Sequence, residues 1–296
     1  MDIIITKKVQ LITNKSFSRK SPKKLYAYIF KNIFRAFFFF YNNIIGGEYM
    51  NSSMLLLQEK FKKIKAEGWC ESLSGGNGNV GMTFEKKIGI EPNQFSIPDF
   101  EGIEIKTKLD GTKPLITLFS ATFDGTYLFE MKRIAETYGE FDSTFKSAKF
   151  FYCSVDAKNY TYLANGIKLK LEVSYSEKRI YLAVYDKNNI LIDHESFWSF
   201  ELLQEKLEHK LNYLAFVSAK KMVKNGKIFF CYYDIQFMKL RNFYTFLKLV
   251  EIGKIDVCFK YGVYRSGVRI GKPCDHGTSF NINRYDLNKL FLELKT

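Results

Sequence analysis

Apolar positions recur along the chain with helical spacing in several segments. Between residues 54 and 67 they are separated by lysines and glutamates, which predicts an amphipathic helix that ends at Gly68. A shorter helix is predicted over residues 84–88, with Thr83 as its N-cap and Gly89 as its end. Further helices are predicted over residues 199–211, 243–252 and 286–294.

Other segments alternate with period two or are rich in β-branched and aromatic residues, which predicts strands. These segments are 98–106, 115–123, 168–175, 179–185, 189–199, 227–234, 255–264 and 279–282. Helices and strands are mixed without regular βαβ alternation and without internal repeats, so the pattern predicts an α+β or mixed α/β fold in two lobes. Because no Pro- or Ser-rich linker separates the lobes, we expect one compact unit.

The composition narrows the class of protein. With 296 residues, of which 46% are hydrophobic, the chain can bury a real core and is not disordered. Its five cysteines include no CxxC pair, which argues against a disulfide framework or a structural zinc site and fits a reducing cytoplasm. The net charge of +14 indicates an anionic partner, either nucleic acid or an acidic membrane surface.

Half of that charge lies in residues 1–49, which hold nine basic and two acidic residues. The apolar stretch 25–45 is interrupted by Lys31 and Arg35, which makes it a poor membrane-spanning helix. Residues 46–49 can be encoded by a purine-rich, ribosome-binding run directly ahead of Met50. We therefore expect Met50 to be the native start and residues 1–49 to be an extension that is not native or is poorly ordered. The alternative is a basic amphipathic membrane anchor.

Candidate chemistry lies in the segment that contains Asp99, Glu104 and Lys106. Glu104 and Lys106 are two residues apart on a predicted strand, so their side chains share one face, and Asp99 lies at the mouth of the strand. Converging carboxylates bind Mg²⁺, which can polarise a phosphodiester and lower the pKa of a bound water, while a lysine orients that water. Taken alone, the segment is better explained as an edge strand with charges on its solvent face.

Motifs around this segment change that preference. They comprise GMTFE at 81–85, Gly89-Ile90, Asn93, Pro98-Asp99, GIEIKT at 102–107, LITLF at 115–119, LID at 191–193, WSF at 198–200, LNYLA at 211–215 and YxSGx5PxDHGTxF at 264–280. In this order they resemble the MvaI/BcnI family of type II restriction endonucleases, a branch of the PD-(D/E)xK nucleases that is related to the mismatch-repair nickase MutH. The resemblance covers about residues 50–295.

The resemblance implies roles for four residues. Asp99 and Glu104 correspond to metal-binding carboxylates, Lys106 to the catalytic lysine, and Glu85 to an additional acidic residue at the active site. Without the family, Glu85 is a solvated glutamate on a helix face. The implied cofactor is Mg²⁺, and the implied fold is MutH-like, with a mixed central sheet flanked by helices. Two lobes, which can interleave, enclose a DNA cleft, with residues 50–200 catalytic and 201–296 DNA-recognising.

Residues 254–284 combine basic side chains with Tyr and His, which suits contacts to phosphates and base edges, although a basic soluble surface is the alternative. Together with the resemblance, this region predicts DNA binding by Lys260, Tyr264, Arg265, Arg269, Lys272, Asp275, His276, Thr278 and Asn281. Cys258, Lys260, Cys274 and Asn281 depart from the family pattern. Because the catalytic motif is intact, the resemblance still implies endonuclease chemistry. Because these recognition positions differ, it does not imply the DNA target of the known family members.

The sequence thus predicts a Mg²⁺-dependent type II restriction endonuclease that hydrolyses double-stranded DNA at a short specific sequence. By the resemblance it acts as a monomer that cuts the strands sequentially. The alternatives are a MutH-like strand-specific nicking enzyme, a catalytically silent DNA-binding protein and, supported only by residues 25–45, a membrane-associated protein. Besides DNA we expect a cognate cytosine methyltransferase that forms no physical complex, no membrane partner and a cytoplasmic location.

Overall fold

The computed structural model describes residues 50–73, 79–90, 97–124 and 129–295. The chain divides into two units, Met1–Tyr49 and Met50–Thr296, and only the second contains described residues. The predictions for residues 1–49, including the membrane anchor, therefore lie outside the described residues. Within the described part, no helix has both the length and the apolar character needed to cross a membrane.

The first helix, α1 (Ser52–Glu67), confirms the amphipathic pattern. The Asn51 side chain caps it by accepting a hydrogen bond of 2.9 Å from the backbone N–H of Met54. Its buried residues are Met54, Leu57, Phe61 and Ile64, and their spacing of three and four places them on one face. The helix ends at Gly68, whose φ of 75° is the left-handed conformation that glycine adopts without strain.

The first sheet contains β1 (Trp69–Glu71), β12 (Lys227–Leu240), β11 (Tyr213–Lys224) and β2 (Ile103–Leu109), in that order. β2 runs parallel to β11, whereas the pairs of β12 with β11 and with β1 are antiparallel. A short strand, β16 (Phe291–Glu293), also pairs with β12. β2 lies at the edge of this sheet and packs next to α2 (Asn79–Ile88).

Two further sheets form the rest of the described fold. The second contains β3 (Leu115–Ser120), β15 (Ser279–Asn283), β13 (Ile255–Val263), β5 (Lys149–Val155), β4 (Glu140–Phe141) and, paired with β13, β14 (Pro273–Asp275). The third contains β10 (Phe197–Ser199), β8 (Arg179–Tyr185), β7 (Lys168–Ser174), β6 (Thr161–Tyr162) and, paired with β8, β9 (Leu191–Asp193). The remaining helices are α3 (Glu130–Tyr138), α4 (Phe200–Leu211), α5 (Phe243–Glu251) and α6 (Leu287–Leu290), the last preceded by a 3-10 turn, Arg284–Asp286.

Two apolar clusters stabilise these layers. The first cluster joins α1 and α2 to one face of the first sheet. The second cluster joins the other two sheets to α3, α4, α5 and α6 and includes the fully buried Trp198, whose indole N–H donates to the Ala121 carbonyl at 3.2 Å. Both clusters draw on segments before and after residue 200, so the chain passes between them more than once.

Two predicted helix boundaries were wrong. Helix α2 begins at Asn79 rather than at residue 84, so Thr83 is a buried helical residue and not an N-cap. The predicted C-terminal helix, 286–294, is cut short at Leu290 because β16 pairs with β12. Here backbone hydrogen bonds to an available strand outweigh local helix propensity.

The sequence patterns also missed α3, β5 and β11. The first seven residues of β11 are all buried, so the strand shows no polar–apolar alternation, as is usual where both faces of a strand are covered.

Candidate active site

A tight turn precedes β2 and sets the geometry of the site. Phe100 and Ile103 exchange two backbone hydrogen bonds, of 2.9 and 2.8 Å. The two residues between them, Glu101 and Gly102, have φ values of 43° and 86°, the positive angles of a two-residue hairpin turn. The predicted continuous strand 98–106 is therefore wrong, because the chain reverses at residues 101 and 102 and the strand begins at Ile103.

This reversal folds Asp99 back alongside β2. Its Oδ2 atom accepts a hydrogen bond of 2.9 Å from the backbone N–H of Ile105. One carboxylate oxygen thus fixes the side chain against the strand. Asp99 is near enough to Glu104 for its charge to raise the pKa of that glutamate, and the turn rather than an extended strand brings the two carboxylates together.

Glu104 and Lys106 point away from the first cluster. In the parallel ladder Glu104 is aligned with Leu214 and Lys106 with Phe216, and both partners belong to the second cluster. The isoleucines that alternate with them on β2 belong to the first cluster. The side chain of Glu104 is only 2% exposed, so the alternative of an edge strand with solvent-facing charges is wrong for this residue.

Two ammonium groups converge on one oxygen of Glu104. Lys106 Nζ lies 2.6 Å and Lys210 Nζ 3.4 Å from Glu104 Oε1. The other oxygen, Oε2, is buried and has no hydrogen-bond partner. The pKa of Glu104 is raised, chiefly by burial. The negative charge of Asp99 raises it further, whereas the positive charges of Lys106 and Lys210 oppose the shift. A buried carboxylate oxygen that accepts no hydrogen bond is well suited to act as a ligand of a cation.

Glu85 approaches the same group from α2. Its Oε1 atom lies 3.7 Å from the position that a Cβ would occupy on Gly81, one helical turn earlier. Burial raises the pKa of Glu85, and the charge of Asp99 adds to this, while Lys106 and Lys210 oppose it. Each of the four predicted catalytic residues therefore interacts electrostatically with others of the set. Among the described residues, however, no three acidic, His or Cys side chains are gathered tightly enough to hold a metal.

Lys210 was not predicted from the sequence. It lies in the last turn of α4, which is capped by the Ser199 side chain and packs against β2. The pattern predicted this helix but gave no indication that its end reaches Glu104. Only the parallel pairing of β11, which begins two residues after α4 ends, with β2 brings the two segments together.

The predicted DNA-binding residues fall into an exposed and an internally bonded group. Lys260 is half-buried, and its Nζ lies 3.4 Å from Ser279 Oγ. Tyr264 is half-buried, and the exposed Arg269 donates to its hydroxyl at 3.3 Å. Three more residues are exposed at the end of this segment, namely Lys272, Asp275 and His276.

Arg265 is bonded within the protein. Its guanidinium donates to both carboxylate oxygens of Asp142, whose side chain is 1% exposed. The hydrogen bonds from Arg265 lower the pKa of Asp142 to about 2. This pair ties the segment after β13 to the segment after β4, so it gives Arg265 a structural contact in addition to its predicted role.

Thr278 and Asn281 are buried rather than exposed. Thr278 lies with its hydroxyl 3.7 Å from Met131 Sδ. The amide of Asn281 accepts from Thr117 Oγ1 at 2.9 Å and donates to Asp256 Oδ1 at 3.2 Å. The amide of Asn281 therefore has its partners within the second sheet, and the hydroxyl of Thr278 contacts a residue of α3. DNA binding by these two residues stays a prediction.

An acid–acid–lysine set on and beside one edge strand, with a further glutamate from a neighbouring helix, has the residue types and placement expected of a nuclease with a restriction-endonuclease fold. The chain belongs to the MvaI/BcnI restriction endonuclease family, whose family model matches residues 58–291. It is therefore a type II site-specific endonuclease that acts on DNA.

Solved structures agree with this assignment. A structure described as a complex of restriction endonuclease MvaI with cognate DNA is 30% identical, covers 82% of this chain and 97% of its own, and has a TM-score of 0.75. Restriction endonuclease MvaI without DNA is 28% identical over the same shares, with a TM-score of 0.54. A search of curated proteins finds no match.

Proposed function

We propose that the chain is a Mg²⁺-dependent endonuclease that cuts both strands of DNA at a short specific sequence, with Glu85, Asp99, Glu104 and Lys106 as its catalytic residues. The observation that carries the proposal is the buried Glu104 carboxylate. Its Oε1 is neutralised by lysines and its Oε2 has no partner. A buried carboxylate oxygen without a donor costs free energy, and a cation bound to that oxygen would offset the cost.

The donors suit a hard divalent cation because they are carboxylate oxygens, and Mg²⁺ needs only one or two of them since it keeps several of its waters. Asp99 and Glu104 would hold Mg²⁺, with Glu85 as an additional acidic group. When bound, the ion would polarise the phosphodiester with its positive charge and lower the pKa of a water molecule. Lys106 is 22% exposed and bonded to Glu104, and in this proposal it would orient the attacking water and balance negative charge on the phosphate.

The exposed side chains of Arg269, Lys272, Asp275 and His276 support DNA recognition by the segment that follows β13. DNA binding by Lys260, Tyr264 and Arg265 is proposed with them. The similarity to MvaI in its complex with cognate DNA supports double-stranded DNA as the substrate. We further propose monomeric, sequential cutting in the cytoplasm and a separate cognate cytosine methyltransferase.

The function is tested by incubating the purified protein with unmethylated plasmid and phage DNA and Mg²⁺, followed by sequencing of the ends. We expect discrete double-strand ends at one short sequence, and no cutting in EDTA. Nicks confined to one strand would instead support the MutH-like activity. Binding without cutting on every substrate would support the catalytically silent protein.

Replacement of Lys210 by Met is expected to lower the cleavage rate by about 10- to 100-fold, as is typical when a group that orients a metal ligand is lost. Since Lys210 lowers the pKa of both Glu104 and Glu85, its loss should also shift the acidic limb of the pH–rate profile to higher pH. Single-turnover rates measured across pH test both effects.

Lys206→Met, one turn earlier on α4, removes the same charge from a half-buried position and is the matched control. Lys210→Arg should recover part of the rate because it restores the cation. An unshifted pH profile in Lys210→Met would contradict a positioning role.

Replacement of Glu85 by Gln is expected to raise the free energy of unfolding at neutral pH while lowering cleavage at least tenfold. The pKa of Glu85 is higher in the folded state than its ordinary value of 4.5, so the folded state binds the extra proton and the wild type loses stability as the pH rises through this window. The difference in unfolding free energy between Glu85→Gln and the wild type should therefore grow above about pH 4.5 and level off at higher pH.

Urea unfolding of both proteins from pH 4 to pH 8 measures this difference. Glu67→Gln should show the opposite sign, since the hydrogen bond from Lys87 lowers the pKa of Glu67. A Glu85→Gln protein that is less stable than the wild type at pH 7 would refute the expectation.

A further inference from the structure

The face of β2 that carries Glu104 and Lys106 continues to Lys108. Side chains two residues apart on a strand share a face and lie about 6.6 Å apart. In the ladder with β11, Lys106 is aligned with Phe216 and Lys108 with Ser218. Lys108 is therefore the next cation along the same strand, on the side of the sheet where the catalytic carboxylate lies.

Arg284 reaches this face from the second sheet. It begins the 3-10 turn after β15, and its backbone N–H donates to the Pro114 carbonyl at 2.8 Å. Lys108 Nζ donates to the carbonyl of Leu115, the residue that follows Pro114, also at 2.8 Å. Both basic residues are thus anchored to the same short segment ahead of β3, at the junction of the two sheets.

The guanidinium of Arg284 is held by aromatic rings. Its Cζ lies 6.0 Å from the ring centroid of Phe216 and 5.3 Å from that of Tyr285. Contacts with ring faces orient a guanidinium and leave the N–H groups at its edge free to donate to oxygen atoms. Because Phe216 is the strand neighbour of Lys106, this orientation places Arg284 beside the catalytic strand.

The two cations are close enough to repel each other. Burial lowers the pKa of Lys108, and the charge of Arg284 lowers it further. The contacts described above, with a carbonyl and with two rings, supply no negative charge. Two positive groups held together in this way are stabilised by an anion that both can contact.

We propose that Lys108 and Arg284 form a clamp for a DNA backbone phosphate next to the phosphate that is cut. The proposal rests on the proposed function, since the neighbouring Lys106 faces the scissile phosphate only in that case. The clamp ties the position of the cut strand to the second sheet, from whose end Arg284 projects. It contributes affinity and register and takes no part in bond breaking.

The test uses Asp99→Asn protein, which should bind DNA without cutting it, and a fluorescent duplex that contains the target. Lys108→Gln and Arg284→Gln are each expected to weaken binding about tenfold, as for the loss of one charged hydrogen bond. The slope of log affinity against log salt should become shallower by about one. Lys63→Gln, exposed on α1 beside the first cluster, should change neither.

Lys108→Arg should keep both affinity and salt slope, because it keeps the cation. Unchanged affinity and slope in the Lys108→Gln/Arg284→Gln double variant would overturn the clamp while leaving the proposed function intact. Weaker binding that Lys108→Arg does not restore, together with a lower unfolding midpoint, would show a structural role and also overturn it. If wild-type protein neither binds nor cuts any DNA, the proposed function itself fails.

Discussion

Asp99→Asn is expected to reduce DNA cleavage in Mg²⁺ by about 10³-fold or more while leaving DNA binding within a few-fold of the wild type, as is usual when a catalytic group is removed from a preorganised site. Asp99 supplies one of the carboxylates that we propose to hold the metal. Its Oδ2 also accepts the hydrogen bond from Ile105 that fixes it against β2. An amide keeps an oxygen for that bond but loses the negative charge.

The comparison with Asp99→Ala separates these two properties. Alanine removes both the charge and the acceptor, so it should lose cleavage to the same extent and also lose about 1 kcal/mol of unfolding free energy. Single-turnover cleavage, duplex binding and urea unfolding of the two variants give the required measurements. Wild-type cleavage by Asp99→Asn would show that the site is assigned incorrectly.

Arg133→Met is expected to cost about 3–5 kcal/mol of unfolding free energy, the range measured when one partner of a buried ion pair is removed. Arg133 on α3 bonds two carboxylates that are each 6% exposed: Nη2 lies 2.6 Å from Glu130 Oε1, and Nη1 lies 2.7 Å from Asp193 Oδ2. Burial raises the pKa of Asp193, but the hydrogen bonds from Arg133, the Glu195 backbone and Tyr138 bring it below its ordinary value. Without Arg133 two buried negative charges would face each other.

Lys132→Met is the matched control for this prediction. Lys132 is the preceding residue on α3, is 49% exposed, and pairs with Glu136 at 3.4 Å, so its loss should cost less than about 0.5 kcal/mol. Adding Glu130→Gln and Asp193→Asn to Arg133→Met should recover part of the lost stability, because it removes the uncompensated charges. Equal unfolding midpoints for Arg133→Met and Lys132→Met would contradict the prediction.

The ion pairs of Arg133 with Glu130 and Asp193 show a limit of prediction from sequence. Helix α3 was not predicted, and Asp193 was noted only as part of a family motif. Its partners are distant in sequence: Arg133 and Tyr138, whose hydroxyl donates to Asp193 at 2.9 Å. Nothing in local periodicity links a helix to a strand some 60 residues later.

The candidate site was predictable in its residue types but not in its burial. The spacing of Asp99, Glu104 and Lys106, supported by the ordered family motifs, predicted a catalytic set, and the structure brings Glu104 and Lys106 into contact. The same alternation, however, is equally compatible with charges that face solvent. Burial of Glu104 follows from the parallel pairing with β11, a strand that the sequence pattern did not reveal.

Two of the predicted recognition residues have contacts within the protein that the sequence did not indicate. Thr278 and Asn281 lie in a family motif, and polar residues in a motif suggest contact with the ligand. In the fold their polar atoms bond to Met131, Thr117 and Asp256. A polar residue can serve the protein's own hydrogen bonding as well as that of a ligand, and sequence alone does not distinguish the two.

By itself, the sequence determined the family, the mixed α+β class, the spacing of the candidate catalytic residues and most helices and strands, because these depend on residue order and on local periodicity. Only the tertiary structure decided the hairpin that places Asp99, the approach of Lys210 to Glu104, the proximity of Lys108 to Arg284, and which polar residues are buried. Each of these depends on strands and helices that are far apart in the chain. Their contacts are fixed by how the sheets pair and pack, which no single segment encodes.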